Sequence, residues 1–310
     1  MTSRALAVAL SLLGLLRCGA QNKPPGTPAP APEGVTVLHD VEIGQGGVRT
    51  LHAELAYPTI PPTTPMPAVL WIHGGSWSGG SYKNNPIQWL ATKGFFTASI
   101  EYRLSGEAKW PAQLQDCKLG VRWLRANAAI YNVDPNRIAV WGASAGGHLA
   151  ACLGTMDTPQ FEGRGGYERV DSHVKAVVDF AGPVDFTEGS AGIQTLGKPP
   201  EYESPGLVRL FGGSFNDKTA FWTQGSPIIY VKAGDPPFLI VHGNRDTTVP
   251  YEQSLKMDAA LKKEGVPVEF ITVDNGDHGM EATKGDPPAN PDTAELKARV
   301  LEFLERNLKP

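Results

Sequence analysis

The sequence lacks several features that mark other classes of protein. Its 28 Lys and Arg residues form no basic stripe and its net charge is −4, which excludes a typical nucleic-acid-binding surface. No group of His, Asp and Glu has the spacing of metal ligands, so neither a metal nor another cofactor is expected. Internal repeats are missing too, which excludes a repeat architecture.

Hydrophobic runs long enough to span a membrane are also missing. The apolar run at 5–16 is shorter than the roughly 20 residues that a membrane-spanning helix needs. It follows Arg4 and precedes Cys18-Gly19-Ala20, a pattern typical of a secretory signal peptide cleaved after Ala20. We therefore expect residues 1–20 to be a signal peptide. The mature protein would then be secreted or periplasmic, with no transmembrane segment left.

Cysteine is scarce, with three residues in the chain. A lipoprotein anchored at Cys18 is the alternative to free secretion, but Arg17 disfavours it because a small residue is expected before a lipidated cysteine. Cleavage would leave Cys117 and Cys152, and export permits a disulfide between them. Both lie in predicted helices, where two small buried side chains are the other interpretation.

Proline and glycine, in contrast, are plentiful, at 27 and 35 residues. Five of the prolines fall within 21–34, which predicts a stiff linker rather than a helix. The remaining residues, 35–310, are enough for one large domain with a sizeable core.

Segments typical of strands and of helices alternate through this domain. Strands are predicted at 35–43, 48–57, 68–73, 95–102, 137–141, 174–180, 237–242 and 268–273. Helical patterns lie at 86–93, 111–129, 251–264 and 294–308, and another follows residue 144. The alternation predicts an α/β protein with a mostly parallel eight-stranded sheet and helices on both faces. The Gly- and Pro-rich stretch at about 186–234 interrupts it and is interpreted as a small cap insertion.

The pentapeptide Gly142-Ala143-Ser144-Ala145-Gly146 matches the pattern G-x-S-x-G. It lies between a predicted strand and a predicted helix, where a sharp turn exposes the serine hydroxyl. The glycines allow neighbouring segments of the backbone to pass close to the serine, whose own backbone is strained. The helix N-terminus adds positive potential there. This context predicts a nucleophile at Ser144, with an ordinary Gly-rich turn as the alternative.

A second segment, His73-Gly74-Gly75-Ser76-Trp77, follows the predicted strand at 68–73. Successive glycines allow backbone N–H groups to converge, and together with the N–H of Ala145 they could hold the oxyanion of a tetrahedral intermediate. We predict that the oxyanion hole is drawn from Gly74, Gly75, Ser76 and Ala145. A plain glycine turn is the alternative.

A serine hydroxyl needs a base to act as a nucleophile at neutral pH. Among seven histidines, His278 alone follows the last predicted strand, in a loop that returns to the carboxyl edge of the sheet. His148 lies four residues after Ser144 on the same helix, too low to reach the hydroxyl. His73 and His242 lie at the ends of strands and are interpreted as residues that stabilise loops. The predicted base is His278.

The base in turn needs an acid that fixes its tautomer. Asp246 lies in the loop after the strand at 237–242 and is the predicted acid, with a capping or turn role as the alternative. Asp185 follows the preceding strand and is the competitor, whereas Asp277 is adjacent to His278 and would point away. The resulting chain order, Ser, Asp, His, is the order found in α/β-hydrolases.

Several longer segments carry a family resemblance: HGGSW at 73–77, EYRLS at 101–105, the run at 111–150, DPPFLIVHGNRD at 235–246 and DHG at 277–279. Over residues 68–278 the chain resembles α/β-hydrolases close to hormone-sensitive lipase. It most closely resembles a bacterial branch of carbohydrate and feruloyl esterases often called BD-FAE. The resemblance implies an α/β-hydrolase fold and the same triad and oxyanion loop, with Ser76 in place of the third glycine of HGGG.

Two tryptophans are candidates for contact with substrate. Trp141, three residues before the nucleophile, resembles a tryptophan that this branch uses near its substrate, and Trp77 could stack on a phenolic or sugar ring. Packing in the core is the alternative for both.

The resemblance implies a secreted serine esterase that cleaves short acyl or feruloyl esters, on small molecules or on plant cell-wall polysaccharides of the acetylxylan type. A general short-chain carboxylesterase is the alternative. A peptidase, a formamidase or a non-catalytic binding protein is less favoured, the last because all three triad positions are filled.

Overall fold

The computed structural model describes residues 31–83, 85–189 and 203–309. The predicted signal peptide at 1–20 and most of the predicted linker at 21–34 lie outside the described residues. Part of the predicted cap insertion, residues 190–202, lies outside them as well.

Eight strands form one sheet within the described residues. In chain order they are β1 (Val35–Gly46), β2 (Arg49–Pro58), β3 (Met66–Ile72), β4 (Phe96–Ile100), β5 (Val133–Ala143), β6 (Ala176–Phe180), β7 (Phe238–Gly243) and β8 (Val268–Val273). Their spatial order is β1-β2-β4-β3-β5-β6-β7-β8. The contacts β1–β2 and β2–β4 are antiparallel, and all the others are parallel. The predicted mostly parallel eight-stranded sheet is confirmed.

Helices cover both faces of this sheet. They are α1 (Ala112–Ala126), α2 (Ala145–Thr155), α3 (Pro205–Phe211), α4 (Phe215–Gln224), α5 (Glu252–Lys263) and α6 (Thr293–Leu308). Alternate residues of β3 point to opposite cores: Leu70 packs with α1 and α2, and Trp71 packs with α6. The strands β3, β6 and β7 are buried along their whole length, which explains their nearly continuous apolar sequences. No helix of the described residues is long and apolar enough to cross a membrane.

The element boundaries differ from the prediction in a few places. The helical pattern at 86–93 is a 3₁₀ turn, Gln88–Lys93, which ends at the left-handed Gly94. The strand predicted at 137–141 begins earlier, at Val133, because Val133 pairs with Met66 before the register shifts to Ile138 opposite Ala68. The intervening polar residues and proline hide this irregular start from a pattern based on hydrophobicity.

The inserted segment, residues 186–234, contains α3, α4 and a 3₁₀ turn at Pro227–Tyr230. Its Phe211 and Trp222 are buried, and their rings lie 5.0 Å apart. Trp110, which follows β4, donates its backbone N–H to Leu210 O at 3.0 Å and its indole N–H to Gln224 Oε1 at 3.1 Å. The described part of the segment is therefore fixed to the main domain by these hydrogen bonds and by packing of Trp110 against Phe211.

Two cysteines lie within the described residues, and both are free and fully buried. Cys117 lies on α1 and Cys152 on α2, and burial raises the pKa of both thiols well above the usual range. The disulfide considered from the sequence is therefore wrong, and the interpretation as small buried side chains is correct.

Candidate active site

Ser144 lies at the sharp turn between β5, which ends at Ala143, and α2, which begins at Ala145. Its backbone has φ 58° and ψ −121°, a conformation that a residue with a side chain rarely adopts. The N–H of Ser144 donates to Phe180 O at 2.8 Å, which helps to hold this turn at the end of β6. Strain of this kind costs about 1–3 kcal/mol and persists only where the surroundings impose it.

The glycines on either side of Ser144 are required by close packing. A Cβ on Gly142 would lie 2.0 Å from Gly146 O, and a Cβ on Gly146 would lie 2.0 Å from Ile72 O. Gly146 thus lets the first turn of α2 press against the end of β3, where the loop at 73–77 begins. The G-x-S-x-G pattern follows from these two contacts.

Replacing Gly146 by alanine should therefore destabilise the fold, because the added methyl would collide with backbone that cannot rotate away. We expect a loss of about 2–4 kcal/mol in the free energy of unfolding, or no soluble protein. The matched control is Gly106→Ala, where an added Cβ meets nothing within 4 Å. Urea unfolding of both variants tests this, and equal stability of the two would contradict the close-packing argument.

Asp246 and His278 are joined by a short hydrogen bond at the carboxyl edge of the sheet. The distance from His278 Nδ1 to Asp246 Oδ2 is 2.6 Å, and Asp246 is only 3% exposed. The other carboxylate oxygen, Oδ1, accepts the backbone N–H groups of Thr248 at 2.7 Å and Val249 at 2.9 Å. Burial alone would raise the pKa of Asp246, but hydrogen bonds from two histidines outweigh it and hold the pKa well below its usual range.

The second of these histidines is His242, which was interpreted from the sequence as a residue that stabilises a loop. Its Nε2 lies 3.0 Å from Asp246 Oδ2, the oxygen that also binds His278, and its Nδ1 lies 2.7 Å from Ser254 Oγ. His242 is fully buried. The spacing of four residues between His242 and Asp246, at the end of a buried strand, is the signal that could have indicated this contact.

The two rival carboxylates have other partners. Asp185 binds Lys256 Nζ at 2.6 Å and the Thr187 hydroxyl at 2.6 Å. Asp277 accepts the backbone N–H of Gly279 at 2.7 Å, which is a local turn contact. The geometry therefore pairs His278 with Asp246, as the sequence predicts, and gives Asp185 a salt bridge instead.

The loop at 73–77, hereafter called the oxyanion loop after the role predicted for it, is a tight turn with unusual backbone angles. Gly75 has φ 114°, Ser76 has φ 51° and Trp77 has φ 54°. Gly75 O accepts the N–H groups of Ser78 and Gly79, both at 3.0 Å. A Cβ on Gly75 would lie 2.4 Å from Gly79 O, so a glycine is required at this position.

The backbone donors predicted for the oxyanion hole are available. In the described part of the chain, the N–H groups of Gly74, Gly75 and Ser76 donate no hydrogen bond. Ala145 is the first residue of α2, where a backbone N–H has no partner within the helix. The contact of Gly146 with the end of β3 brings these two groups of donors to neighbouring positions.

The two tryptophans predicted near substrate are both buried, each 4% exposed. Trp77 donates its indole N–H to His148 Nδ1 at 3.1 Å. Trp141 packs edge-on against Trp71, on the face of the sheet that carries α6. These surroundings favour the packing alternative for both residues.

A further carboxyl lies beneath the turn at Ser144. Asp179 is on β6 beside Gly142, is 1% exposed and accepts the N–H of Gly182 at 2.9 Å. Burial raises the pKa of Asp179 to about 6. The folded protein thus holds this proton more tightly than the unfolded chain does. The stability that the carboxyl contributes is present below about pH 4 and is lost as the pH rises to about 6.

Asp179→Asn removes this titration while keeping an oxygen for Gly182. The free energy of unfolding of the variant, relative to the parent, should therefore rise by about 2–3 kcal/mol between pH 4 and pH 7.5. Urea unfolding at the two pH values measures this difference. A difference that stays constant with pH would show that Asp179 does not titrate in this range.

No group of three or more His, Cys, Asp or Glu side chains within residues 31–83, 85–189 and 203–309 is placed to hold a metal ion. The arrangement that is present consists of a strained turn at Ser144, which is 7% exposed, a carboxylate–imidazole pair and backbone donors, all at one edge of the sheet. These are the groups that acyl transfer through a serine uses.

Several curated proteins to which this chain is similar are esterases. Esterase LipQ of Mycobacterium tuberculosis is 30% identical over 262 residues, which cover 83% of this chain and 60% of LipQ. The chain spans about half to three fifths of the length of this and two further curated mycobacterial relatives.

Solved structures have a similar fold over nearly the whole length of this chain. A truncated carbohydrate esterase from gut microbiota is 30% identical with a TM-score of 0.73, and the match covers 89% of this chain and 97% of that one. Butyrate-bound Est2 of Thermogutta terrifontis is 27% identical with a TM-score of 0.68, over 90% of this chain and 96% of that one. The predicted α/β-hydrolase fold is confirmed. Because the BD-FAE model matches residues 56–261, well over half of the sequence, this chain belongs to the BD-FAE family.

Proposed function

We propose that the protein is a serine esterase that hydrolyses short acyl or feruloyl esters through an acyl-enzyme on Ser144. The observation that carries the proposal is the 2.6 Å hydrogen bond between Asp246 and His278 at the sheet edge where β5 leads into Ser144. The esterases to which the chain is similar support the reaction class.

The first half of the reaction forms the acyl-enzyme. His278 donates its Nδ1 proton to Asp246, so its lone pair is on Nε2 and can accept the proton of the Ser144 hydroxyl. The serine oxygen attacks the ester carbonyl carbon. The N–H of Ala145, with N–H groups of the oxyanion loop, stabilises the negative charge that develops on the carbonyl oxygen.

Protonated His278 then gives its proton to the leaving alcohol oxygen as the tetrahedral intermediate collapses, which completes the acyl-enzyme. In the second half, the neutral imidazole takes a proton from water as the water oxygen attacks the acyl-enzyme carbonyl. Collapse of this second intermediate breaks the bond to Ser144 Oγ, which takes the proton back from His278, and the free acid leaves. Asp246 stays ionised throughout and stabilises the imidazolium, a role that suits its strongly lowered pKa.

The substrate class is proposed from the neighbours and from the predicted export. One structural neighbour is a carbohydrate esterase, and another is a bifunctional GH43-CE of Bacteroides eggerthii. An exported enzyme can reach acetylated or feruloylated plant cell-wall polysaccharides, which cannot enter a cell. We accordingly place the protein outside the cytoplasm, either free or anchored as a lipoprotein at Cys18.

A general short-chain carboxylesterase is the second candidate. It is favoured by the similarity to Est2, which was solved with butyrate and with propionate bound. Nothing in the triad distinguishes a free ester from one on a polymer, since the same atoms react in both.

A matched panel separates the two candidates. Initial rates would be measured on p-nitrophenyl acetate, butyrate and octanoate, methyl ferulate, and acetylated xylan, with Ser144→Ala as the blank. We expect release of acid from acetylated xylan or methyl ferulate, and a decline from acetate to octanoate. Activity confined to the p-nitrophenyl esters would support the general carboxylesterase instead.

A further inference from the structure

His148 joins three separate parts of the active-site region. It lies on α2, one turn after Ser144, and is fully buried. Its Nδ1 is 3.1 Å from the indole nitrogen of Trp77 in the oxyanion loop. Its Nε2 is 2.8 Å from Gly225 O, where α4 of the inserted segment ends.

These two contacts are compatible with one neutral tautomer of His148. An indole nitrogen only donates, so Nδ1 must accept, and a carbonyl oxygen only accepts, so Nε2 must carry the hydrogen. A second proton on Nδ1 would face the Trp77 N–H. Burial lowers the pKa of His148 to about 4, which keeps the ring neutral at working pH. Further neighbours among the described residues include the thiol of Cys152, whose sulfur lies 3.3 Å from Nε2, and the aromatic rings of Trp110 and Phe186.

The oxyanion loop needs such a support because its backbone is strained. Ser76 and Trp77 are consecutive non-glycine residues with positive φ, of 51° and 54°. Conformations of this kind persist only where surrounding contacts enforce them. The hydrogen bond from Trp77 to His148 ties the strained loop to the helix that carries the nucleophile.

We propose that His148 is a positioning residue, which holds the backbone donors of the oxyanion loop at a fixed distance from Ser144 and fixes the inserted segment to the same helix. This inference rests on the proposed esterase function. Oxyanion donors act mainly in the transition state, so a misplaced loop lowers kcat and leaves KM nearly unchanged.

The test compares variants of His148 with p-nitrophenyl acetate as substrate. His148→Leu removes both hydrogen bonds, and we expect kcat to fall about 10- to 100-fold, below the loss of about 100- to 1000-fold for deleting a donor outright. KM should stay within about twofold. His148→Gln can accept from Trp77 and donate to Gly225, so it should recover most of the lost kcat.

Trp77→Phe removes the loop side of the link alone. It should also lower kcat, and the double variant Trp77→Phe, His148→Leu should be no slower than His148→Leu, because both changes break the same contact. The matched structural control is Thr155→Val on α2, which loses a buried hydrogen bond to Pro227 O in the inserted segment but does not touch the oxyanion loop. We expect it to lower the melting temperature and to leave kcat unchanged.

The outcomes distinguish the two proposals. If Ser144→Ala is inactive while His148→Leu keeps kcat within twofold of the parent, the role of His148 is wrong and the esterase proposal stands. If Ser144→Ala stays active, the esterase proposal itself fails. If His148→Leu does not fold, the kcat values of Trp77→Phe and His148→Gln test the role of His148 instead. A normal kcat in Trp77→Phe would then overturn the inference.

Discussion

Replacing Ser144 by alanine should abolish ester hydrolysis and leave the protein folded. Without the hydroxyl there is no acyl-enzyme, and comparable serine hydrolases lose about a millionfold in kcat when the nucleophile is removed. The strained backbone at φ 58° is imposed by the surrounding turn, and alanine keeps the Cβ, so the fold should tolerate the change. Initial rates on p-nitrophenyl acetate and the melting curve are the measurements.

Ser99→Ala serves as the matched control for this experiment. Ser99 is a buried serine on β4, and within the described residues its hydroxyl has no hydrogen-bond partner. Its replacement should leave kcat and stability nearly unchanged. Activity in Ser144→Ala equal to that of Ser99→Ala would mean that a different group is the nucleophile.

Replacing Asp246 by asparagine should lower kcat about ten-thousandfold, as the corresponding change does in other serine triads. The two backbone N–H groups of Thr248 and Val249 require an oxygen at the Oδ1 position. The new amide nitrogen must then occupy the Oδ2 position, facing both His242 and His278. As a donor it forces His278 to turn its Nδ1 lone pair inward, which places the hydrogen on Nε2, where the base should be.

The control for this variant is Asp185→Asn, which changes the competing carboxylate. Asp185 is paired with Lys256 at 2.6 Å, so its loss should affect stability more than turnover. Both variants would be compared by kcat at saturating p-nitrophenyl acetate. A larger loss of kcat in Asp185→Asn than in Asp246→Asn would show that Asp185, and not Asp246, is the acid.

The sequence alone predicted the architecture because strand burial is visible in composition. Strands such as β3, buried on both faces, have to be nearly continuously apolar, and the turn at Ser144 has to have glycine two residues before and two after the serine. The pairing of His278 with Asp246 was predictable for a similar reason. The carboxyl ends of parallel strands meet at one edge, so the order of loops along the chain places the two residues together.

The sequence was less informative where a side chain was compatible with more than one set of contacts. Predicted export permits a disulfide between Cys117 and Cys152, and only the structure shows two free, buried thiols. The start of β5 at Val133 was missed because a register shift passes through polar residues. Trp77 and Trp141 were candidates for substrate contact until their burial was known.

The sheet, the strained turn at Ser144 and the meeting of Asp246 with His278 at the carboxyl edge were thus determined by the sequence, since backbone constraints and periodicity are local. Tertiary structure decided which distant groups support these residues. The contact of His242 with Asp246 spans four residues and has a local signal, whereas His148 binds Trp77 and Gly225, which are 71 and 77 positions away from it in the chain. The physical reason is that a buried polar side chain must find a partner, but which partner it finds depends on how distant segments pack.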